Sequence, residues 1–168
     1  MGLKTAIQNH PKVLVVEDDL CMKRILTLLL HNINPEIEIK WMPSADEAWA
    51  ELQTNSIVMP SPYNLFISDI STPGIKSGLD FWKTCQTRYP HVPFLFTSGM
   101  PVETFFETFG NSIVCPPFLS KPFAVGECRQ IMKILLETGN TKPNEGALRA
   151  AKLSAAQRES AERTNKCK

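Results

Sequence analysis

Hydrophobic positions in this chain fall into five short apolar runs, each followed by a stretch with helical spacing. Lys12-Val13-Leu14-Val15-Val16 follows Pro11, and its β-branched, apolar character predicts a central strand. From Leu20 to Asn32, Met22, Ile25, Leu26, Leu29 and Leu30 recur at helical intervals, with Lys23 and Arg24 between them; Pro35 closes this predicted helix. Ile37-Glu38-Ile39-Lys40-Trp41 alternates, as expected of a strand with one wetter face at a sheet edge. Ser44-Ala45-Asp46-Glu47 has the form of a capping box and opens a helix through about Leu52. The loop from Gln53 to Pro62 yields no element. Leu65 to Ile67 predicts a buried third strand that ends at a lone carboxylate, Asp69, before the turn-forming pair Pro73-Gly74.

The second half repeats the pattern. Ser77 to about Arg88 predicts a helix with Leu79, Phe81, Trp82 and Cys85 on or near its inner face, ended by Pro90. Pro93 to Ser98 predicts a fourth strand, halted at Gly99. Pro101 suits the first turn of a helix running to about Phe109. Phe118 to Ser120 predicts a fifth strand, shortened by Pro116 and Pro117, and a last helix follows from about Val125 to Leu136 with Cys128, Ile131, Met132 and Leu135 inward. Five alternations of strand and helix predict an α/β, doubly wound five-stranded parallel sheet with right-handed crossovers. The expected organisation is an N-terminal extension (1–11), one domain (12–138), and a polar basic tail (139–168) that is disordered or partly helical.

Composition narrows the functional classes. Hydrophobic residues are 43% and charged residues 21%, the balance of a soluble globular chain. No apolar run approaches the roughly 18 residues of a membrane span, and Met1 to His10 lacks the pattern of a secretory signal, so a cytoplasmic location is expected. A net charge of +1 gives no reason to expect nucleic acid or a membrane surface as partner. That charge is uneven: Gly139 to Lys168 holds seven Lys/Arg against three Asp/Glu, leaving about −3 on the rest. The five cysteines form no C-x-x-C pair, and four of them lie in apolar patterns where Cys acts as a small hydrophobe.

The chemistry collects at strand ends. In such a sheet one rim carries Glu17, Asp18 and Asp19 after the first strand, Asp69 after the third, Thr97 and Ser98 after the fourth, and Lys121 after the fifth. Clustered carboxylates raise one another's pKa unless a cation neutralises them. Oxygen-only ligation with room for water suits Mg²⁺, and a lysine with a hydroxyl can bind the remaining oxygens of a phosphoryl group. Asp69 then becomes a candidate nucleophile toward phosphorus.

Four segments carry a family resemblance: Val15-Val16-Glu17-Asp18-Asp19, Ile67-Ser68-Asp69-Ile70-Ser71-Thr72-Pro73-Gly74, Phe96-Thr97-Ser98-Gly99 and Ser120-Lys121-Pro122-Phe123. In this order, each closing its own strand, they make the chain from about Lys12 to Glu137 resemble the receiver domain of two-component response regulators, of the stand-alone type. The resemblance implies a flavodoxin-like sheet of order 2-1-3-4-5. It also implies a phosphoryl group accepted on Asp69 from a histidine kinase or phosphotransfer protein. Glu17, Asp18, Asp69 and the main-chain carbonyl of Ser71 match the Mg²⁺ ligands. Ser98 and Lys121 match the phosphoryl-binding pair, and Phe118 the aromatic whose rotamer follows Ser98. The expected protein is a switch rather than an enzyme, with slow self-dephosphorylation, acting on an unknown downstream protein and possible homodimer partner. Ser71, Phe118 and Gly99 depart from the commoner residues at their positions, and none removes a required group.

Two other functions compete with the switch. One is a constitutive receiver-like interaction module. The other is a Mg²⁺-dependent aspartyl phosphohydrolase, which wants a second acid two residues past the nucleophile, where this chain has Ser71. Asp19 reads as a helix N-terminal charge and a secondary ligand candidate. Phe105, Phe106 and Phe109 recur at helical spacing, and one or two of them are expected in the core; a phenyl left outside it would mark an interaction patch, with Phe105→Asp and Phe106→Asp expected to leave folding intact.

Overall fold

The computed structural model describes residues 10–54, 61–101, 104–105, 107 and 116–138. Its elements run β1 (Lys12–Val16), α1 (Leu20–Ile33), β2 (Glu38–Met42), α2 (Ala45–Thr54), β3 (Leu65–Asp69), α3 (Gly78–Arg88), β4 (Phe94–Ser98), β5 (Phe118–Ser120) and α4 (Val125–Thr138). Thr104, Phe105 and Glu107 are also helical. The strands form one parallel sheet in the order β2-β1-β3-β4-β5, the flavodoxin-like order the resemblance implies. Residues 1–9, the loop 55–60, most of the predicted helix from Pro101 to Phe109, and the tail from 139 onward lie outside the described residues.

The pleat of the sheet divides the core in two. Val13, Val15, Leu65, Ile67, Leu95 and Leu119 pack with Leu26, Leu29 and Leu30 of α1 and with Cys128, Ile131, Met132 and Leu135 of α4. The residues between them in sequence, Leu14, Val16, Phe66, Phe94, Phe96 and Phe118, pack with α2 and α3 on the opposite face. β1, β3 and β4 read as continuous apolar runs because both of their faces are covered. β2, at the edge, alternates between exposed and covered positions.

Several boundaries move by a residue or two. β2 is shifted one residue along from the predicted Ile37–Trp41, because Met42 pairs with Val16 while Ile37 bonds through its N–H to Asn34 in the preceding turn (3.2 Å). α2 and α4 run two residues past their predicted ends, where the Thr54 and Thr138 hydroxyls donate back to carbonyls of the last turn. Ser44 Oγ accepts from the Glu47 N–H (3.2 Å), as the capping pattern requires. Cys21 corrects the apolar reading of the cysteines: Cys85 and Cys128 are buried, whereas Cys21 is exposed on the first turn of α1.

Phe105 takes the core reading: it is fully buried and stacks on Phe118, with ring centroids 4.2 Å apart and planes 14° from parallel, so Phe105→Asp is not the surface substitution expected of an exposed phenyl. Its burial follows from the α2/α3 face of the sheet, where Phe94, Phe96 and Phe118 leave a large apolar surface that needs a lid. Phe106 and Phe109 lie outside the described residues.

Candidate functional site

Side-chain alternation along four neighbouring strands brings the site together. Glu17 continues the odd-numbered series of β1, Asp69 that of β3, Thr97 that of β4 and Lys121 that of β5, so all four belong to the α1/α4 face at the C-terminal rim. Main-chain bonds fix the exits: Glu17 N–H donates to the Met42 carbonyl (3.0 Å) and Lys121 N–H to the Ser98 carbonyl (2.7 Å). The Lys121–Pro122 peptide is cis.

Lys121 Nζ then lies 2.6 Å from Asp69 Oδ2 and 2.7 Å from Glu17 Oε2. Both carboxylates are sheltered, Glu17 at 5% and Asp69 at 8% exposure. Their second oxygens are bonded as well. Asp69 Oδ1 accepts from the Ser71 N–H (2.9 Å) and Glu17 Oε1 from the Asp19 N–H (3.3 Å). Two anions and one cation share a low-dielectric pocket, so their charges are tightly interdependent. Burial pushes the Glu17 carboxyl above its ordinary range, against the pull of Lys121. Burial pulls the Lys121 ammonium down, but its bonds to Asp69 and then Glu17 outweigh this and hold it above its ordinary range.

The other expected residues are placed differently. Asp18 is exposed and accepts no hydrogen bond among the described residues. Asp19 is the N-cap of α1, accepting from Cys21 N–H (2.6 Å) and Met22 N–H (3.2 Å), which makes it a capping residue. Ser71 is exposed and touches Asp69 through its N–H. Ser98 is buried, its hydroxyl accepting from the Met100 N–H (3.2 Å), and it belongs with Phe118 to the opposite side of the pleat. The sheet therefore gathers Glu17, Asp69 and Lys121 directly, keeps Asp18 at the rim, and holds Ser98 and Phe118 behind.

Two supporting residues have no role at the site in the sequence reading. Asp46, in the first turn of α2, accepts from Ile75 N–H (2.8 Å) and Lys76 N–H (3.2 Å), tethering the loop that follows Asp69. Beside it Gly74 adopts φ +109°, a conformation side chains rarely take. Gly78 opens α3 so close to the Asp69 backbone that a Cβ there would collide with the Asp69 carbonyl oxygen. The Pro73-Gly74 turn signal marks the loop, but nothing local ties Asp46 or Gly78 to it.

The donors suit a hard cation. Carboxylate oxygens from two strands already converge on one positive atom, and a further free carboxylate, Asp18, adjoins Glu17. Among the described residues no three His, Cys, Asp or Glu side chains stand close enough to form a metal cluster.

Residues 13–133 match the response regulator receiver domain family, and this chain belongs to it. A curated relative, nodulation protein W of Bradyrhizobium diazoefficiens, is 34% identical over 125 residues, which is 73% of this chain and 49% of that protein. The chain thus spans about half the length of the relative it matches. The signal receiver domain of an HD domain-containing protein from Pseudomonas fluorescens superposes with a TM-score of 0.65 at 19% identity, covering 80% of this chain and 93% of the other. The chemotaxis response regulator CheY4 of Vibrio cholerae gives 0.59 at 20% identity, covering 74% and 98%. These likenesses define the fold. Receiver domains are in general phosphoacceptors rather than enzymes, and among the described residues no helix is long and apolar enough to cross a membrane.

Proposed function

We propose that this chain is a phosphorylation-dependent switch whose phosphoacceptor is Asp69. The observation that carries the reading is the Lys121 ammonium, 2.6 Å from Asp69 and 2.7 Å from Glu17 across three strand ends. A carboxylate fixed beside a cation, at the rim where open α/β sheets bind ligands, is preorganised to meet an incoming phosphoryl group.

The donor is a phosphohistidine of a histidine kinase or phosphotransfer protein. An Asp69 carboxylate oxygen attacks phosphorus, the new O–P bond forms as the N–P bond breaks, and the N–P electron pair stays on the imidazole, which takes a proton from solvent. The phosphoryl group adds about two negative charges in a new position, and the Lys121 ammonium is drawn toward them. Glu17, Asp18, Asp69 and the Ser71 carbonyl would hold Mg²⁺, which when bound supplies charge neutralisation for the phosphoryl oxygens. Ser98 and Phe118 carry the change to the opposite face, where a downstream protein or second copy reads it. Slow self-dephosphorylation resets the switch, in the cytoplasm.

Intact-mass analysis after incubation with Mg²⁺ and acetyl phosphate tests the reading. One acid-labile phosphoryl group is expected on the wild type and none on Asp69→Asn. An unmodified wild type under these conditions would reduce the protein to a constitutive interaction module.

A further inference from the structure

Thr97 is fully buried, and its hydroxyl has no hydrogen-bond partner among the described residues. It stands in register with Asp69 on one side and Leu119 on the other. Parallel neighbours lie about 4.8 Å apart with side chains on a common face, so the polar side chain in register with the Thr97 hydroxyl is the Asp69 carboxylate. Valine would suit this strand position equally well, without an orphaned donor. A buried hydroxyl left unsatisfied destabilises the state that contains it, and any state that pairs it is favoured by comparison.

In the unphosphorylated site the Asp69 oxygens are already engaged, Oδ1 by the Ser71 N–H and Oδ2 by Lys121. Phosphorylation changes that allocation. One oxygen becomes the ester link to phosphorus and the other a carbonyl oxygen, while the ammonium follows the charge to the phosphoryl oxygens. We propose that Thr97 is a positioning residue of the acceptor site, its hydroxyl held unpaired beside Asp69 and donating to the Asp69 carbonyl oxygen once the phosphoryl group is in place. The proton stays on Thr97 throughout. The hydroxyl thereby biases the switch toward its phosphorylated state. This inference rests on Asp69 being the phosphoacceptor.

The test compares the full-length wild type with Thr97→Val, Thr97→Ser and Thr97→Ala, each incubated with Mg²⁺ and acetyl phosphate. Thr97→Val is expected to melt at or above the wild-type temperature, since it removes an orphaned donor. The ratio of phosphorylated to free protein at steady state should fall about fivefold, the size of one net hydrogen bond. Thr97→Ser should restore it. The ¹³C resonance of the phosphorylated Asp69 carboxyl carbon should shift in Thr97→Val and not in Thr97→Ser, a response that packing alone would not give. Should Thr97→Val fail to fold, Thr97→Ala against Thr97→Ser makes the same comparison. Wild-type levels of phosphorylation and an unmoved resonance in the variants without a hydroxyl overturn the inference and leave Asp69 as acceptor. A wild type that takes up no phosphoryl group, like Asp69→Asn, overturns both.

Discussion

Lys121 Nζ lies 2.6 Å from Asp69 Oδ2, joining residues 52 apart in sequence through a side chain that is only 18% exposed. Glu17 makes the group a triad in which one ammonium serves two carboxylates. Removing the cation leaves two sheltered anions facing each other, and the loss of one partner of a buried pair is strongly destabilising. Lys121→Met is expected to lower stability by about 3 kcal/mol at neutral pH. The deficit should shrink toward pH 4 as the Glu17 carboxyl, its pKa raised by burial, takes up its proton. Urea denaturation at both pH values measures it, and an equal deficit at the two would contradict the triad.

Glu17 gives a pH dependence of its own. Burial raises its folded-state pKa above the ordinary 4.5, so the folded chain keeps a proton that the unfolded chain has released. The stability linked to that proton is fully present below about 4.5 and is lost as pH rises through the raised folded value. Glu17→Gln removes the dependence while leaving Lys121 paired with Asp69. Its stability relative to wild type is expected to improve as pH increases from 4 to 7; a difference independent of pH would count against the buried, ionisable Glu17.

Gly78→Ala places a methyl group against the Asp69 carbonyl oxygen, which as part of the sheet cannot yield the way a flexible side chain would. An overpacking loss of about 2 kcal/mol is expected. Amide resonances of Ile70 and Ser71 should move as well, because the Gly78 N–H bonds the Ile70 carbonyl at 3.0 Å. Full stability with unshifted resonances would show that α3 starts with room to spare.

Phe105→Ala removes a ring stacked on Phe118, and the loss expected for a buried phenyl is about 3–5 kcal/mol. Phe105→Asp should not fold. A well-folded Phe105→Asp would restore the surface patch that the spacing suggests.

Asp18→Asn alters a carboxylate that is exposed and serves no capping or pairing role among the described residues. Its melting temperature without metal is expected to match the wild type. In the wild type Mg²⁺ should raise the melting temperature, since a ligand that binds the folded chain stabilises it by mass action, and Asp18→Asn should lose most of that rise. Calorimetry at increasing Mg²⁺ distinguishes the two, and an equal rise in both would remove Asp18 from the proposed ligands.

How legible each part was depends on whether its cause is local. The strands around Val13–Val16, Leu65–Ile67 and Phe94–Phe96 are legible because two-sided burial demands uninterrupted apolar residues, and the ends at Glu17, Asp69 and Thr97 follow from where those runs stop. The meeting of Glu17 with Lys121 depends on strand order, which came with the family resemblance rather than with periodicity. Asp46 and Gly78 were invisible because their partners, the amides of Ile75 and Lys76 and the carbonyl of Asp69, are set by how α2 and α3 dock on the sheet. Which of Phe105, Phe106 and Phe109 enters the core stays open in the sequence, because helical spacing tells which residues share a side and not which side meets the sheet.

The Lys121 amide is hydrogen-bonded to the Ser98 carbonyl, 2.7 Å away. The residue whose ammonium holds the acid pair is thereby stitched through its own backbone to the residue whose hydroxyl accepts from the Met100 amide on the far side of the pleat. A displacement of the Lys121 backbone therefore need not cross the hydrophobic interior to reach Ser98; one hydrogen bond between neighbouring strand ends joins the two faces. The two faces of the sheet are neighbours sharing a seam.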